Sequence, residues 1–374
     1  MRIPAPPYVE AIRPYVPGKP IQEVERELGL SGTIKMASNE NPLGPSPLAV
    51  EAIQAFLGEL NFYPEGSGFY LCQALAEHFG VAPEQVILGN GSVELVEMAA
   101  RAFLSPEGNC VISEGSFAMY PIACQIVNAP VKAAPMRDRT HDLEAMLALV
   151  DERTRLVLIA NPNNPTGTYN PLAHVQRFME KIPKEALVIV DEAYKEFVDE
   201  PDYGTAQPLL ARFPNLMILG TFSKAYGLAG LRVGYGFAQP DVIATLHKVR
   251  SPFNTSAVAQ VAGIAALKDQ DFVKRYVALN REERAYLTGQ LRKMGLTVTP
   301  SVANFLLIDT GRNCDHDFKL LLHEGVIVRP MRLYGFPTGL RVTVGTHEDN
   351  VVFLEALARV GKSAEQVEAL LEKE

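Results

Sequence analysis

The stretch GTFSKAYGLAGLRVG, residues Gly220–Gly234, directly follows the apolar run Met217–Leu219. Such a short aliphatic run is typical of a buried strand. The glycine-rich stretch contains one lysine, Lys224. A lysine amine can form a Schiff base with a carbonyl compound. Most lysines are exposed, so Lys224 taken alone would be an ordinary surface charge on a loop. The rest of the chain has to decide between these two interpretations.

The same stretch carries groups that suit a phosphate. Thr221 and Ser223 supply hydroxyls, and Arg232 supplies a guanidinium fork that matches phosphate oxygens. A second set of donors is predicted at Gly89–Ser92 (GNGS), because a helix N-terminus presents unpaired N–H groups to an anion. Ser92 alone is better explained as a helix cap. Together with the other three side chains it would complete a phosphate site.

Apolar runs of strand length predict the fold. They alternate with amphipathic helical patterns and cover Val86–Leu88, Leu156–Ile159, Leu187–Val190 and Met217–Leu219. Continuous apolar strands separated by helices indicate an α/β fold with a mostly parallel sheet covered by helices on both faces. Ligands of such sheets bind beyond the carboxyl ends of the strands. Because all four runs end in polar loops, we expect the four loops to meet at one edge.

The C-terminal part of the chain changes character after a long helical pattern at about 271–294. Strand-like segments there alternate with helices, which predicts a smaller α+β domain over residues 275–374. We predict a large ligand-binding domain over residues 33–274. Residues 1–32 are expected to form an N-terminal arm associated with the small domain. The last segment, Ala364–Glu374, is predicted as a final solvated helix.

Composition and charge exclude several classes of protein. The chain has 374 residues, 47% of them hydrophobic, and a net charge of -8 without a lysine- or arginine-rich block, so no nucleic-acid partner is expected. No apolar run reaches the length of a membrane span, and the N-terminus lacks a signal-peptide core. Four scattered cysteines without a CxxC pair indicate a reduced, cytoplasmic protein. The segment Cys314–Asp317 (CDHD) matches no strong zinc pattern, so it is predicted as a polar loop before a helix and no metal is expected.

Four side chains at the other strand ends suit an aromatic ligand. Asp191 follows four aliphatic residues, and a buried carboxylate needs a cationic partner, either an arginine or a protonated pyridine nitrogen. Tyr194 and Asn164 could both bond a phenolic oxygen, although an Asn-Pro pair also favours a turn. Phe117 could stack on a flat ring, although a lone aromatic is more often part of the core. An amine, a phosphate site, an acid, two ring-oxygen partners and a stacking face together indicate pyridoxal 5'-phosphate.

The chain resembles the fold-type I, class I/II pyridoxal-phosphate aminotransferases, and among them the histidinol-phosphate aminotransferases. The similarity covers nearly the whole chain, and its motifs are specific as a set. The motifs are SNENPLGPSP (38–47), YPEGSGFYL (63–71), LGNGS (88–92), ANPNNPTGT (160–168), VDEAYKEF (190–197), TFSKAYGLAGLRVGY (221–235) and LRVTVG (340–345). The resemblance implies a large cofactor domain and a smaller domain built from both ends of the chain.

The resemblance also implies residue roles. Lys224 is expected to be the catalytic, Schiff-base lysine, and Tyr63 is expected to reach the cofactor of the neighbouring subunit, so that a homodimer shares its active sites. Val93 stands where the family often has an acidic residue or asparagine; the change is mild if this position contributes mainly its backbone N–H. The expected cofactor contacts are Ser92, Val93, Phe117, Asn164, Asp191, Tyr194, Thr221, Ser223, Lys224 and Arg232, and the expected substrate contacts are Arg329, Arg341, Tyr15 and Asn39.

The implied reaction belongs to histidine biosynthesis. It interconverts histidinol phosphate plus 2-oxoglutarate and imidazole-acetol phosphate plus glutamate by a ping-pong mechanism. The cofactor residues alone do not separate this enzyme from an aromatic amino-acid aminotransferase or from a decarboxylase of a phosphorylated amino acid. The segments SNENPLGP and YPEGSGFYL favour histidinol phosphate. A non-catalytic regulator would carry an added DNA-binding segment, whereas a short proline-rich arm is what precedes residue 33.

Overall fold

The computed structural model describes residues 3–371. The α-helices in this range are α1 (Pro7–Glu10), α2 (Ile21–Leu28), α3 (Pro47–Phe56), α4 (Phe69–Phe79), α5 (Gly91–Phe103), α6 (Met119–Ile126), α7 (Leu143–Ala148), α8 (Leu172–Lys181), α9 (Pro240–His247), α10 (Ala257–Lys268), α11 (Gln270–Lys293), α12 (Cys314–His323) and α13 (His347–Leu371). The strands are β1 (Ile34–Lys35), β2 (Val86–Gly89), β3 (Asn109–Ser113), β4 (Val131–Ala134), β5 (Met136–Arg137), β6 (Thr140–His141), β7 (Thr154–Ala160), β8 (Leu187–Asp191), β9 (Leu216–Thr221), β10 (Gly234–Ala238), β11 (Thr297–Val298), β12 (Phe305–Asp309), β13 (Val326–Ile327), β14 (Arg329–Pro330) and β15 (Gly339–Thr343).

The largest sheet within the described residues has seven strands in the order β2-β10-β9-β8-β7-β3-β4. Strand β10 is antiparallel to both of its neighbours, and the remaining pairs are parallel. Because β2 and β9 both oppose β10, β2 runs in the same direction as β9, β8 and β7. The carboxyl ends of the four predicted strands therefore lie at one edge. The predicted α/β fold with a mostly parallel sheet is confirmed.

Helices on both faces explain why the strands are continuously apolar. In β7, Leu156 and Leu158 belong to one core cluster, which includes Leu95 of α5. The alternate residues of the same strand belong to a second cluster, which includes Phe178 of α8. Successive side chains of a strand point to opposite faces, so a sheet buried on both faces needs an apolar residue at every position.

A second sheet, of four strands in the described chain, has the order β11-β12-β15-β14. In this sheet Arg329 of β14 lies opposite Arg341 of β15. Strand β1 pairs in parallel with β13. Val24 of α2 packs in one cluster with Leu322 and Ile327. These contacts connect the N-terminal segment to the C-terminal one, while the domain limits at residues 33 and 275 stay predictions.

Capping residues in the sequence predicted several helix ends correctly. Ser46 caps α3 by accepting a hydrogen bond from the Ala49 N–H over 3.3 Å, and Pro47 is the first helical residue. Helix α4 ends at Gly80, whose φ of 67° lies in the left-handed region that favours glycine. The prediction of a separate final helix at Ala364–Glu374 was wrong in its start. Helix α13 continues without a break through Leu371, and residues 372–374 lie outside the described residues.

The prediction of a polar loop at Cys314–Asp317 was also wrong, because these residues form the first turn of α12. Asn313 caps this turn by accepting from the backbone N–H of Asp315 over 3.0 Å. The Asp317 carboxylate is buried against Arg312 at 3.0 Å. In the part of the chain that the structure describes, no cluster of three or more His, Cys, Asp or Glu side chains has the arrangement of a metal site. Likewise, none of the described helices combines the length and apolar character needed to cross a bilayer.

Candidate active site

A cavity of about 260 Å³ lies at the carboxyl edge of the large sheet. Loops after β7, β8 and β9 form its walls, together with the first turn of α5, the segment Ser38–Glu40 and strand β15. Thirteen of the predicted site residues line it. They are Tyr15, Asn39, Ser92, Val93, Phe117, Asn164, Asp191, Tyr194, Thr221, Ser223, Lys224, Arg232 and Arg341.

Lys224 lies inside this cavity and is not an exposed loop charge. Its Nζ donates a hydrogen bond to the Ser38 carbonyl over 3.0 Å and lies 5.7 Å from the centre of the Tyr194 ring. Burial, together with the positive charge of Arg341, lowers the pKa of Lys224 to about 7. A large fraction of the amine is therefore uncharged near neutral pH, and only the uncharged amine can attack a carbonyl carbon.

Asp191 ends strand β8, and only 8% of its surface is exposed. Its Oδ2 accepts a hydrogen bond from the Tyr120 hydroxyl over 2.9 Å, and its Oδ1 accepts from the Ala193 N–H over 3.1 Å. Burial raises the pKa of the Asp191 carboxyl, and the hydrogen bond from Tyr120 opposes this rise. Two donors thus hold this carboxylate at the sheet edge, and no arginine of the described residues pairs with it, which leaves it suited to a cationic ligand atom.

Tyr194 and Asn39 face each other across the cavity wall. The Tyr194 hydroxyl accepts a hydrogen bond from Asn39 Nδ2 over 3.0 Å. Asn39 has a φ of 55°, in the left-handed region that asparagine tolerates better than most residues. Burial raises the pKa of Tyr194 to about 12, so the hydroxyl keeps its proton and can donate it in a hydrogen bond to a ligand oxygen.

Arg341 connects the small sheet to the cavity. Its Nη1 donates to Asn164 Oδ1 over 2.5 Å, and its Nη2 donates to the Ala37 carbonyl over 2.6 Å. Its Nε is buried and has no hydrogen-bond partner among the described residues. A buried guanidinium with an unused donor is a strong candidate for binding an anion.

The donors after β9 and at the start of α5 suit a phosphate. Ser223 N–H donates to Thr221 Oγ1 over 3.1 Å, which fixes the two hydroxyl-bearing residues after β9. A Cβ added to Gly91, whose φ is 74°, would lie 2.3 Å from Arg232 Nη2. Glycine at the start of the 13-residue helix α5 therefore lets the Arg232 guanidinium approach the helix N-terminus and Ser92.

These features fit pyridoxal phosphate. The buried amine of Lys224 matches its aldehyde, and the Asp191 carboxylate matches its pyridinium nitrogen. The Arg232 guanidinium, which the glycine at position 91 admits beside the start of α5, matches its phosphate group. Phe117 is half-buried in the same cavity, with its ring 5.7 Å from that of Tyr120.

Two predicted residues lie outside the cavity lining. Tyr63 is 82% exposed, and its ring stacks on Phe253 with centroids 4.7 Å apart. Arg329 donates to the Val16 carbonyl, and its guanidinium lies 5.3 Å from the centre of the Tyr15 ring. Arg329 thus contacts the N-terminal arm in this structure, and the arm in turn places Tyr15 in the cavity wall.

Three further lining residues, Tyr120, Ser38 and Glu40, were not among the predicted site residues. Tyr120 reaches Asp191 from a helix far away in the sequence, and a tyrosine in a short amphipathic helix has no local signature of such a contact. Ser38 and Glu40 belong to the irregular segment before α3, whose polar and proline-rich character did signal a functional loop.

Comparisons with known proteins identify the family of this chain. The family described as aminotransferase class I and II matches residues 31–357. Histidinol-phosphate aminotransferase 1 of Nitrosococcus oceani is 48% identical over 352 residues, which cover 94% of this chain and 95% of that protein. Histidinol-phosphate aminotransferase 2 of Pseudomonas aeruginosa is 48% identical over 358 residues, covering 95% and 97%.

Solved structures show the same fold. The crystal structure of histidinol-phosphate aminotransferase from Sinorhizobium meliloti in complex with pyridoxal-5'-phosphate aligns with a TM-score of 0.87 and 28% identity, over 96% of this chain and 97% of that one. An aspartate aminotransferase of Thermus thermophilus aligns with a TM-score of 0.85 at 23% identity, over 96% and 100%, and shows the fold alone. The chain therefore belongs to the class I and II aminotransferase family, within the group of histidinol-phosphate aminotransferases.

Proposed function

We propose that this protein is the histidinol-phosphate transaminase of histidine biosynthesis. It exchanges the amino group between histidinol phosphate and 2-oxoglutarate, giving imidazole-acetol phosphate and glutamate. The observation that carries the proposal is the meeting of Lys224, Asp191 and Arg341 in one cavity of a chain with this family membership. The amine suits the cofactor aldehyde, the carboxylate suits the pyridinium, and the guanidinium suits an anionic substrate group.

The cofactor would be held at five points. Lys224 Nζ would bind the aldehyde carbon, and Asp191 would hold the proton on the pyridine nitrogen. Tyr194 and Asn164 would orient the ring oxygen. Phe117 would stack on the ring face. The phosphate contacts are Ser92, Thr221, Ser223, Arg232 and the backbone N–H of Val93.

Bound pyridoxal phosphate supplies an electron sink for the electron pair that remains when the substrate carbon loses its proton. With the cofactor bound, Lys224 Nζ would accept the proton from the substrate carbon that bears the amine. The same Nζ would later return a proton, so one group would act as general base and general acid. The pKa of about 7 keeps Lys224 able to perform both steps near neutral pH. Asp191 stays ionised through the donors Tyr120 and Ala193 and stabilises the positive charge on the ring nitrogen.

Both substrates carry an anionic group at one end, a phosphate in one case and a carboxylate in the other. Arg341 has a buried Nε–H without a partner that can bind such a group, while its two terminal nitrogens donate to Asn164 and Ala37. Arg329 supports the other wall through the arm that carries Tyr15. Asn39 closes the side next to Tyr194.

The active form would be a homodimer with shared active sites. Tyr63 is 82% exposed on the single chain and stacks on Phe253, which is itself 46% exposed. Exposed stacked aromatics of this kind are typical of the buried centre of an interface. Tyr63 would then reach the phosphate group held by the neighbouring subunit. We also propose a cytoplasmic location, because Cys72, Cys110, Cys124 and Cys314 are all unpaired.

Half-reactions test the proposal. Cofactor-loaded protein is mixed separately with histidinol phosphate, glutamate and phenylalanine, and the visible absorbance of the bound cofactor is followed by stopped flow. We expect fast changes with histidinol phosphate and glutamate and a slow change with phenylalanine. The Lys224→Ala protein, loaded with cofactor, is the control and should show no turnover. A fast reaction with phenylalanine and none with histidinol phosphate would instead identify an aromatic amino-acid aminotransferase.

A further inference from the structure

The cavity wall next to Lys224 carries a carboxylate that the mechanism above does not use. Glu40 directly follows Ser38 and Asn39, the two residues that contact Lys224 and Tyr194. It lines the same cavity. The negative charge of Glu40 also opposes the lowering of the Lys224 pKa, so the carboxylate is close enough to act on the amine electrostatically. Glu40 therefore lies near the place where the substrate must react.

An ion pair holds this carboxylate in place. Lys35 Nζ donates to Glu40 Oε1 over 2.7 Å, with the lysine side chain 22% and the glutamate side chain 43% exposed. Glu40 also lines a neighbouring cavity of about 530 Å³, so there is room beside it. The side chain is thus oriented by one oxygen and remains accessible at its other end. An oriented and accessible carboxylate is a strong hydrogen-bond acceptor.

Several other acceptors of the cavity are already engaged. The Ser38 carbonyl accepts from Lys224. Asn164 Oδ1 accepts from Arg341. Both carboxylate oxygens of Asp191 accept hydrogen bonds as well. Besides the neutral hydroxyls of the lining, a substrate that brings an N–H donor into this cavity therefore finds the accessible Glu40 carboxylate. The carboxylate is a stronger acceptor than a hydroxyl because it carries a charge.

We infer that Glu40 accepts a hydrogen bond from the imidazole N–H of the substrate and so selects an imidazole-bearing phosphate over one with an apolar ring. This inference rests on the proposed function and assigns a specificity-determining residue to it. An imidazole always keeps at least one ring N–H, whereas a phenyl ring has none and would displace water from the second carboxylate oxygen without supplying a donor in its place. A site built to accept from a substrate N–H discriminates strongly against an analogue that lacks it.

The experiment compares two substrates in the holoenzyme. One is histidinol phosphate, and the other is the same amino alcohol phosphate with a phenyl ring in place of the imidazole. For Glu40→Leu, which removes the acceptor at similar volume, we expect kcat/KM for histidinol phosphate to fall about 10- to 100-fold. The value for the phenyl analogue should stay the same or rise. The glutamate half-reaction should lose less than the histidinol phosphate half-reaction, because glutamate has no ring N–H, whereas any effect of Glu40 on the pKa of Lys224 applies to both substrates.

Three further variants test whether the Glu40 carboxylate itself causes the preference for imidazole. Glu40→Gln keeps an oxygen acceptor without the charge and should recover part of the lost selectivity. Lys35→Met removes the partner of Glu40 but leaves the carboxylate, so the preference for imidazole should persist. Tyr15→Phe removes the competing hydroxyl and should also keep the preference. The visible absorbance of the bound cofactor and the unfolding midpoint establish that each variant is folded and loaded.

Each remaining outcome overturns the inference. An equal loss with both phosphates would show that Glu40 acts on the common chemistry. No loss with histidinol phosphate would show that Glu40 does not contact the ring, and a loss of preference in Tyr15→Phe alone would assign the contact to Tyr15. A wild-type enzyme that does not react with histidinol phosphate would overturn the proposed function together with this inference. A wild-type enzyme that does react, combined with an unaffected Glu40→Leu, would overturn the inference alone.

Discussion

The Tyr120 hydroxyl donates a hydrogen bond to Asp191 Oδ2 over 2.9 Å, and both side chains are buried. This pair joins helix α6 to the end of strand β8. Burial alone would favour the protonated form of the Asp191 carboxyl, and the hydrogen bond from Tyr120 favours the ionised form. Tyr120 is therefore a positioning residue that acts on the cofactor through Asp191.

Removal of this hydroxyl should shift the pH profile. In Tyr120→Phe the pKa of Asp191 rises further, because burial still raises it and the opposing hydrogen bond is gone. Activity requires the ionised carboxylate and is lost as pH falls through this pKa. The acid limb of the kcat/KM profile should therefore move to higher pH, with a loss of about tenfold at neutral pH for one hydrogen bond to a charged group. Steady-state kinetics across pH measure both effects.

Tyr169→Phe is the matched control for this shift. Tyr169 also donates to an aspartate, Asp202, over 2.6 Å, but this pair does not line the cavity. The acid limb of the kcat/KM profile of this control should lie at the same pH as in the wild type. If the acid limb of Tyr120→Phe also stayed at the wild-type pH, the Tyr120 hydroxyl would serve packing alone.

The lowered pKa of Lys224 predicts how fast the apoenzyme takes up its cofactor. The uncharged amine is the nucleophile, and its fraction rises as pH increases through about 7. The rate of cofactor uptake should therefore rise up to about this pH and then level off. Stopped-flow mixing of apoenzyme with pyridoxal phosphate measures the rate. N-acetyl-lysine is the reference, and its rate should keep rising toward pH about 10. A parallel pH dependence for enzyme and reference would contradict the burial of the amine.

The contact between Gly91 and Arg232 predicts a selective loss of cofactor affinity. A Cβ at position 91 would lie 2.3 Å from Arg232 Nη2, on a backbone with a φ of 74°. Gly91→Ala should displace the guanidinium and weaken cofactor binding by about 100-fold, the loss of one or two charge-assisted hydrogen bonds. It should also lower the free energy of unfolding by about 1–2 kcal/mol, because alanine disfavours the left-handed region. Equilibrium dialysis and denaturant unfolding measure the two effects.

Gly230→Ala provides the control for Gly91→Ala. Gly230 belongs to the same glycine-rich stretch as Arg232, yet a Cβ there would meet nothing within 4 Å. Its cofactor affinity should equal that of the wild type. Equal losses in both variants would mean that the stretch tolerates no side chain for reasons other than the phosphate site.

The two arginines of the small sheet should differ in their kinetic effects. Arg341 is buried in the cavity, so Arg341→Lys removes donors that no neighbour replaces, and kcat/KM should fall about 100-fold for both substrates. Arg329 contacts the arm at Val16 and Tyr15, so Arg329→Ala should mainly raise KM, by about tenfold, with little change in kcat. Steady-state kinetics with histidinol phosphate and 2-oxoglutarate separate the two cases. Indistinguishable effects would argue that both guanidiniums bind substrate directly.

Local chemistry explains which parts of the fold could be predicted from the sequence. The bounds of α4 follow from a left-handed glycine at its C-terminal end, and the start of α3 follows from Ser46 and Pro47. Strand β10 was not predicted, because two of its five residues are glycines, which weaken a strand pattern. These glycines make sense only in the tertiary structure. A Cβ on Gly236 would lie 2.7 Å from Met217 Cε in the neighbouring strand.

In the candidate site, too, residues with a local sequence signal could be predicted, and residues placed by tertiary contacts could not. Asp191 and Lys224 could be predicted because Asp191 ends one apolar strand and Lys224 lies in the loop after another, and parallel strands bring their carboxyl ends together. Tyr120 could not, because it reaches Asp191 across 71 residues of sequence. The position of Arg329 could not either. Its distance from the cavity depends on how the arm docks, through the Val16 carbonyl and the Tyr15 ring, and no local pattern encodes that contact.

Mixed dimers test whether Tyr63 serves the neighbouring subunit. Lys224→Ala should be inactive, and Tyr63→Ala should bind its cofactor weakly. In a mixed dimer, the Tyr63→Ala subunit keeps its own Lys224 and receives Tyr63 from its partner, so one of the two sites is complete. Random reassociation of equal amounts should therefore restore about a quarter of the wild-type activity under limiting cofactor. If Tyr63 acted within its own subunit, no complete site would form, and the mixture would show no more activity than the two variants measured separately.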